Sequence, residues 1–245
     1  MLSDTHTRDE RLDMRSPIIL AVDTDDLEIA SEWISATRDS IDVYKLGLEF
    51  FLKFGTAGVA ELKKRGEFEL FLDLKLHDIP NTVAGAVRSV KELSPKFLTV
   101  HAAGGSAMIR AAAQEAPAIE ITGVTVLTSL SESSLLEMGI ELSPLDYALA
   151  LGSNATQSGA RALVCSPLEV EAMRALLEDN VTLITPGVRP ADSELGDQSR
   201  VLTPQEALSR GANYLVIGRP ITSYYSDSRQ AMSERAAQIL ESLGK

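Results

Sequence analysis

Only one cysteine, Cys165, occurs in the 245 residues, so no disulfide can form within the chain. Its neighbours Ala162-Leu163-Val164 put it on a core strand, where a thiol packs rather than reacts. Cations are also in short supply, with 23 Lys and Arg against 35 Asp and Glu and a formal net charge of -12. That balance argues against nucleic acid or an anionic membrane surface as partner, and any anionic ligand needs a local cluster of cations. No apolar run approaches the ~20 residues that span a bilayer. The polar stretch 1–15 has no signal-peptide core, so the cytoplasm is the expected location. Histidine is scarce: His6, His77 and His101 show no zinc-ligand spacing, and the latter two read as structural. No strand is followed by the Gly-x-Gly-x-x-Gly turn of a dinucleotide site, and Gly104-Gly105 reads as an ordinary tight turn.

What the chain has in quantity is alternation. Ile18-Ile19-Leu20-Ala21-Val22-Asp23 is an apolar run ending in an acid, followed by helix-start signals at Asp25 and Asp26 and an amphipathic segment to about Arg38. Val43-Tyr44-Lys45-Leu46-Gly47 repeats the plan with a lysine inside the strand, then a helix from about Glu49 to Arg65. Further strands are expected at Leu70–Leu76, Phe97–His101, Ile121–Thr128, Leu163–Ser166, Val181–Thr185 and around Tyr214-Leu-Val-Ile-Gly218. Helices are expected over about Pro80–Leu93, after Gly105, over Pro144–Ser158 and over Pro167–Asp179. Ser131–Met138 reads as a connection, and Ala191–Leu202 as an irregular stretch too polar for the core. Roughly eight strand-helix units without a composition break predict a single-domain (β/α)₈ barrel, a TIM barrel, over residues 17–245. Residues 1–16 are expected to form a poorly ordered extension. Alternation alone also permits an open doubly wound sheet.

The most informative stretch is Phe71-Leu-Asp73-Leu-Lys75-Leu-His-Asp78-Ile-Pro80-Asn-Thr82, an apolar strand interrupted by charge. A period of two puts Asp73 and Lys75 on one face, with Leu72, Leu74 and Leu76 on the other. Asp78 falls where the strand ends, and Pro80 suits the first turn of a helix. The flanking acids favour the ammonium form of Lys75, a proton donor rather than a free-amine nucleophile. The plain alternative is a structural salt bridge with Asp78 as helix cap. In a barrel, however, the C-terminal strand ends share one face, and Asp23, Lys45, Asp73, Lys75, Asp78, Thr128, Arg189 and Arg219 all fall near such ends. Gly218-Arg219 after the last strand suits an anion, and the polar stretch holding Gln198 suits a segment that covers a ligand.

Asp73-Leu-Lys75-Leu-His-Asp78-Ile-Pro-Asn-Thr82 resembles the signature of the orotidine 5'-phosphate decarboxylase family, of the bacterial type; Leu76 stands where members often carry an aromatic residue. The resemblance runs from Asp23 to Arg219. It implies a cofactor-free carboxy-lyase that makes UMP from orotidine 5'-phosphate in pyrimidine biosynthesis. It implies that Asp23 and Lys45 contact the ribose, that Asp73 faces the substrate carboxylate, and that Lys75 protonates C6. Thr128 resembles the pyrimidine contact, Gln198, Gly218 and Arg219 the phosphate-holding groups, and Arg189 the start of a mobile loop. Asp78 and Thr82 would reach the neighbouring subunit's site, which implies a homodimer with shared active sites.

Three alternatives stand beside it. A metal-dependent sugar-phosphate decarboxylase or aldolase on the same barrel uses a similar Asp-x-Lys-x-x-Asp pattern, but Lys45 would repel the Mg²⁺ such a site holds. A Schiff-base aldolase needs a lysine of depressed pKa, and the surrounding acids act the other way. A noncatalytic phosphoribosyl-binding protein would not require a charged proton donor.

Overall fold

The computed structural model describes residues 16–190 and 202–244. Eight strands, all parallel, close in chain order: β1 (Ile18–Ala21), β2 (Val43–Leu46), β3 (Glu69–Leu76), β4 (Phe97–His101), β5 (Glu120–Val124), β6 (Ala162–Val164), β7 (Thr182–Pro186) and β8 (Tyr214–Ile217). Ile18 of β1 aligns with Leu215 of β8, which completes the ring. Helices run back outside it: α1 (Leu27–Thr37), α2 (Leu48–Arg65), α3 (Pro80–Val90), α4 (Gly105–Glu115), α5 (Glu132–Glu137), α6 (Pro144–Gln157), α7 (Val170–Leu176), α8 (Pro204–Ser209), α9 (Arg219–Thr222) and α10 (Arg229–Ser242). This is the single-domain TIM barrel that the alternation predicts, and not an open sheet. Of the expected N-terminal extension only Ser16 is among the described residues; it is buried, and its hydroxyl accepts a hydrogen bond from Ile18 N.

The two-residue period of each strand divides the core. Ile18, Leu20, Tyr44, Leu70, Leu72 and Leu98 face outward into the layer beneath the helices. Ile19, Val43, Phe71, Phe97, Ala162 and Ile184 face inward and fill the barrel. There Phe97 meets Phe71 and Tyr214 edge to face, at ring-centroid separations of 5.7 and 5.6 Å. Burying rings of this size contributes about 2–3 kcal/mol each. The Lys96 ammonium, paired with Glu69, lies over both Phe97 and Tyr214 at the N-terminal end of the barrel.

Local signals account for the helix starts. Asp26 caps α1, accepting from the amides of Glu28 and Ile29, and Ser143 caps α6 ahead of Pro144. Asp25 instead pairs with Lys53. Five expectations differ in detail. The fifth strand stops at Val124, leaving Thr128 in a loop, and the expected connection after it contains the short helix α5, capped by the Ser131 side chain. Helix α7 starts at Val170 rather than Pro167. Helix α2 is broken at Gly55, whose φ of 59° and ψ of -158° are not helical. Finally, β3 is irregular: Leu72 pairs with Leu98 and Leu76 with Val100, so four residues of β3 advance against two of β4.

Candidate active site

That irregularity sits at the charged segment. Within it Lys75 takes a φ of +48°, a left-handed conformation that is rare for a residue with a long side chain. The bulge departs from the simple period of two, yet Asp73 and Lys75 still share one face. They line a cavity of about 170 Å³ at the C-terminal end of the barrel, with Lys45, Phe71, Thr128, Cys165, Ser166 and other residues around them.

Four charges alternate across three strand ends. Asp23, just past β1, accepts from Lys45 Nζ at 2.9 Å; Lys45 Nζ lies 3.6 Å from Asp73 Oδ2; and both Asp73 oxygens accept from Lys75 Nζ at 2.8 Å. Burial alone would raise the Asp73 pKa, but the Lys45 and Lys75 ammoniums, with hydrogen bonds from Lys75 and Thr99, outweigh it and hold the carboxyl below its usual range. For Lys45 burial works downward, and the Asp23 and Asp73 charges overcome it, leaving the pKa raised. Gly47 makes room for this network: a Cβ there would lie 3.3 Å from Lys45 Nζ and 3.5 Å from Asp23 Oδ1.

Asp78 is not the cap of α3. That position is held by Ile79, and Asp78 is exposed, its carboxylate accepting from the next amide, Ile79 N. With Thr82, also exposed, it lies off the cavity of its own chain. The reading of the motif as a salt bridge plus a helix cap therefore fails for Asp78. Gly218 and Arg219 follow β8, where a Cβ on Gly218 would press on Ala21 Cβ at 3.3 Å. Arg189 follows β7, and its amide donates to Leu202 O, pinning together the two ends of the polar stretch. Gln198, with the rest of residues 191–201, lies outside the described residues. Sequence reasoning missed Thr99, fully buried beside Asp73 and Lys75, and also Gly47 and Ser166. The signal for Thr99 was a hydroxyl inside the apolar run Phe97–Val100.

His77 and His101 lie against each other, ring centroids 5.4 Å apart and planes tilted by 46°. Burial, then the neighbouring His77 and Lys75, lower the His101 pKa. Among the described residues no three of His, Cys, Asp and Glu are grouped to hold a metal ion, and no helix is long and apolar enough to cross a membrane.

Residues 16–234 match the model of the orotidine 5'-phosphate decarboxylase / HUMPS family. The chain is 54% identical over 209 residues to orotidine 5'-phosphate decarboxylase of Thermobifida fusca, covering 85% of this chain and 90% of the relative. It is 49% identical over 225 residues to that of Frankia casuarinae, covering 85% and 82%. The crystal structure of orotidine 5'-phosphate decarboxylase from Lactobacillus acidophilus superposes with a TM-score of 0.78 at 35% identity, over 92% of this chain and 99% of that one. With a match that spans nearly the whole barrel and every strand end that carries the charged network, the chain belongs to the orotidine 5'-phosphate decarboxylase / HUMPS family.

Proposed function

We propose that this chain is a carboxy-lyase that converts orotidine 5'-phosphate to UMP in pyrimidine biosynthesis. The observation that carries the reading is the alternating row Asp23, Lys45, Asp73, Lys75 at the mouth of the barrel. The reaction breaks the bond between C6 of the pyrimidine and its carboxylate. The electron pair stays on C6 with no adjacent carbonyl to accept it, and CO₂ departs. A fixed ammonium beside C6 opposes that charge more effectively than mobile water, because it needs no reorganisation as the charge develops. Lys75 then delivers a proton from Nζ to C6, and its neutral amine regains one from solvent. Asp73 holds the Lys75 ammonium in place through two 2.8 Å hydrogen bonds and faces the departing carboxylate.

The remaining roles follow the same reading. Asp23 and Lys45 hold the ribose, Thr128 the pyrimidine, and Gln198, Gly218 and Arg219 the phosphate, with Arg189 at the start of the covering segment. Binding energy from the distant phosphate is then available to organise the reacting end. Asp78 and Thr82 complete the site of a second copy in a homodimer. Support comes from their exposure and from that of Ile79, Leu52, Leu136 and Met138, at 66%, 79%, 57% and 62%, on segments that follow strand ends. The catalytic domain is residues 17–245, with 1–16 outside it, and the cytoplasm is its location.

Two rival chemistries lose ground. A Mg²⁺-dependent sugar-phosphate enzyme would need the space between Asp23 and Asp73 for its cation, and Lys45 Nζ lies 2.9 and 3.6 Å from them. A Schiff-base mechanism on Lys45 needs a neutral amine, whereas its pKa is raised. The test is the absorbance change of orotidine 5'-phosphate on adding protein with EDTA present, beside Lys75→Ala. Conversion to UMP that falls about 10³-fold or more in the variant is expected. Absence of conversion by the unmodified protein, with Mg²⁺-dependent activity on a pentulose phosphate, would reject the proposal.

A further inference from the structure

Lys75 is the residue on which the proposed chemistry turns, and its backbone is held in an unfavourable conformation, φ +48° inside a β-bulge. A left-handed conformation at a side chain of this size costs free energy and persists only where the surroundings compel it. The compelling contact comes from β4. Thr99 Oγ1 accepts a 2.8 Å hydrogen bond from Lys75 N and donates a 3.0 Å hydrogen bond to Asp73 Oδ1. Both Asp73 oxygens accept in turn from Lys75 Nζ. The contacts form a closed loop: Lys75 amide, Thr99 hydroxyl, Asp73 carboxylate, Lys75 ammonium. The hydroxyl has a single proton. Since its oxygen accepts the amide hydrogen, that proton is committed to Asp73, and the direction of the loop is set. Thr99 is fully buried, so no water is at hand to replace it.

We infer that Thr99 is a positioning residue, whose hydroxyl latches the left-handed backbone at Lys75 to the Asp73 carboxylate and thereby fixes where the ammonium stands. Without the latch, the Lys75 amide loses its acceptor and Asp73 one of its donors. The bulge is then free to relax toward regular β3 geometry, moving Nζ away from the reacting carbon. Displacements of about 1 Å at such a group cost on the order of 100-fold in rate. The consequence in rate rests on the proposed role of Lys75, whereas the latch itself is a matter of geometry.

The test uses full-length Thr99→Val, which keeps the shape and removes the hydroxyl, and Thr99→Ser, which keeps the hydroxyl. With orotidine 5'-phosphate, Thr99→Val is expected to lower kcat about 10- to 100-fold, with KM shifted by less than about threefold. Thr99→Ser is expected to return kcat to within about threefold of the unmodified chain. Amide hydrogen exchange at Lys75 reads the latch without activity: slow in the unmodified chain and in Thr99→Ser, fast in Thr99→Val. Unchanged exchange in Thr99→Val, or Thr99→Ser as slow in turnover as Thr99→Val, overturns the inference. If the unmodified chain does not turn over the substrate while exchange behaves as stated, the proposed reaction fails and the latch stands. Should Thr99→Val not fold, Thr99→Ala against Thr99→Ser makes the same comparison, since those two differ only in the hydroxyl.

Discussion

Lys45 and Asp73 project from neighbouring strands to within 3.6 Å of each other, each with only 12% of its side chain exposed. Charges this poorly solvated depend on their partners, because loss of one leaves the other with less counter-charge and little solvent to replace it. In Asp73→Asn the ammoniums of Lys45 and Lys75 would face one another with no carboxylate between them. Urea unfolding is expected to show a loss of about 3 kcal/mol. Steady-state kinetics are expected to show kcat/KM for orotidine 5'-phosphate reduced by about 10²- to 10³-fold.

The same pair shapes the dependence of stability on pH. Asp73 titrates below its usual 3.8, so its contribution to stability is present above that value and is lost as pH falls through the lower folded value. Lys45 titrates above its usual 10.5, so its contribution is present below that value and lost as pH rises through the higher one. Thermal unfolding of the unmodified chain should therefore weaken below about pH 4. Asp73→Asn should show a flatter acid limb and Lys45→Met a flatter alkaline one. An acid limb equally steep in Asp73→Asn would assign the loss to other carboxylates.

Arg219 lies far along the chain from Lys75, at the end of β8, where the proposed phosphate contact is made. Arg219→Ala should lower kcat/KM for orotidine 5'-phosphate about 10- to 100-fold, the effect of losing charge-assisted hydrogen bonds to an anion. Near-normal efficiency in that variant would remove the residue from the proposed site.

A shared active site predicts complementation. Mixing inactive Lys75→Ala chains with inactive Asp78→Ala chains should restore activity, because one of the two sites in a mixed dimer has both residues intact. Placing a charge on the exposed apolar surface with Ile79→Asp should shift the sedimenting species from dimer to monomer and reduce activity with it. Full activity in a monomeric Ile79→Asp protein would contradict the sharing of sites.

Cys165 borders the cavity but is 1% exposed, and burial pushes its thiol up to about 12. Ellman's reagent should therefore find no reactive thiol in the native protein at neutral pH and one after denaturation. Rapid native labelling would show that the end of β6 opens.

Most of the architecture was legible because periodicity and strand-end chemistry are written locally. Ile18–Asp23 shows the apolar run with its terminal acid, and Asp73 and Lys75 show charge on one face of a strand. Asp25 looked as much like a cap as Asp26 did, and only the position of Lys53 on α2 separates them. The bulge in β3 left no mark on the sequence, since a left-handed lysine is held there by a threonine 24 residues away. Thr99 showed only as a hydroxyl inside an apolar run: its importance lies in what it touches, not in its spacing. Asp78 misled the local reading, because a carboxylate just before Ile79-Pro80 has the look of a cap while the structure leaves it open to solvent.

Among the described residues, the aromatic plug formed by Phe71, Phe97 and Tyr214, with Lys96 over it, closes the N-terminal end of the barrel and makes it a cup rather than a tube. In the proposed reaction, substrate, CO₂ and UMP must then all pass the same rim. The gas, small and neutral, is free to escape before the phosphate grip is released. Traffic through the rim thus acquires an order, with UMP the last to leave.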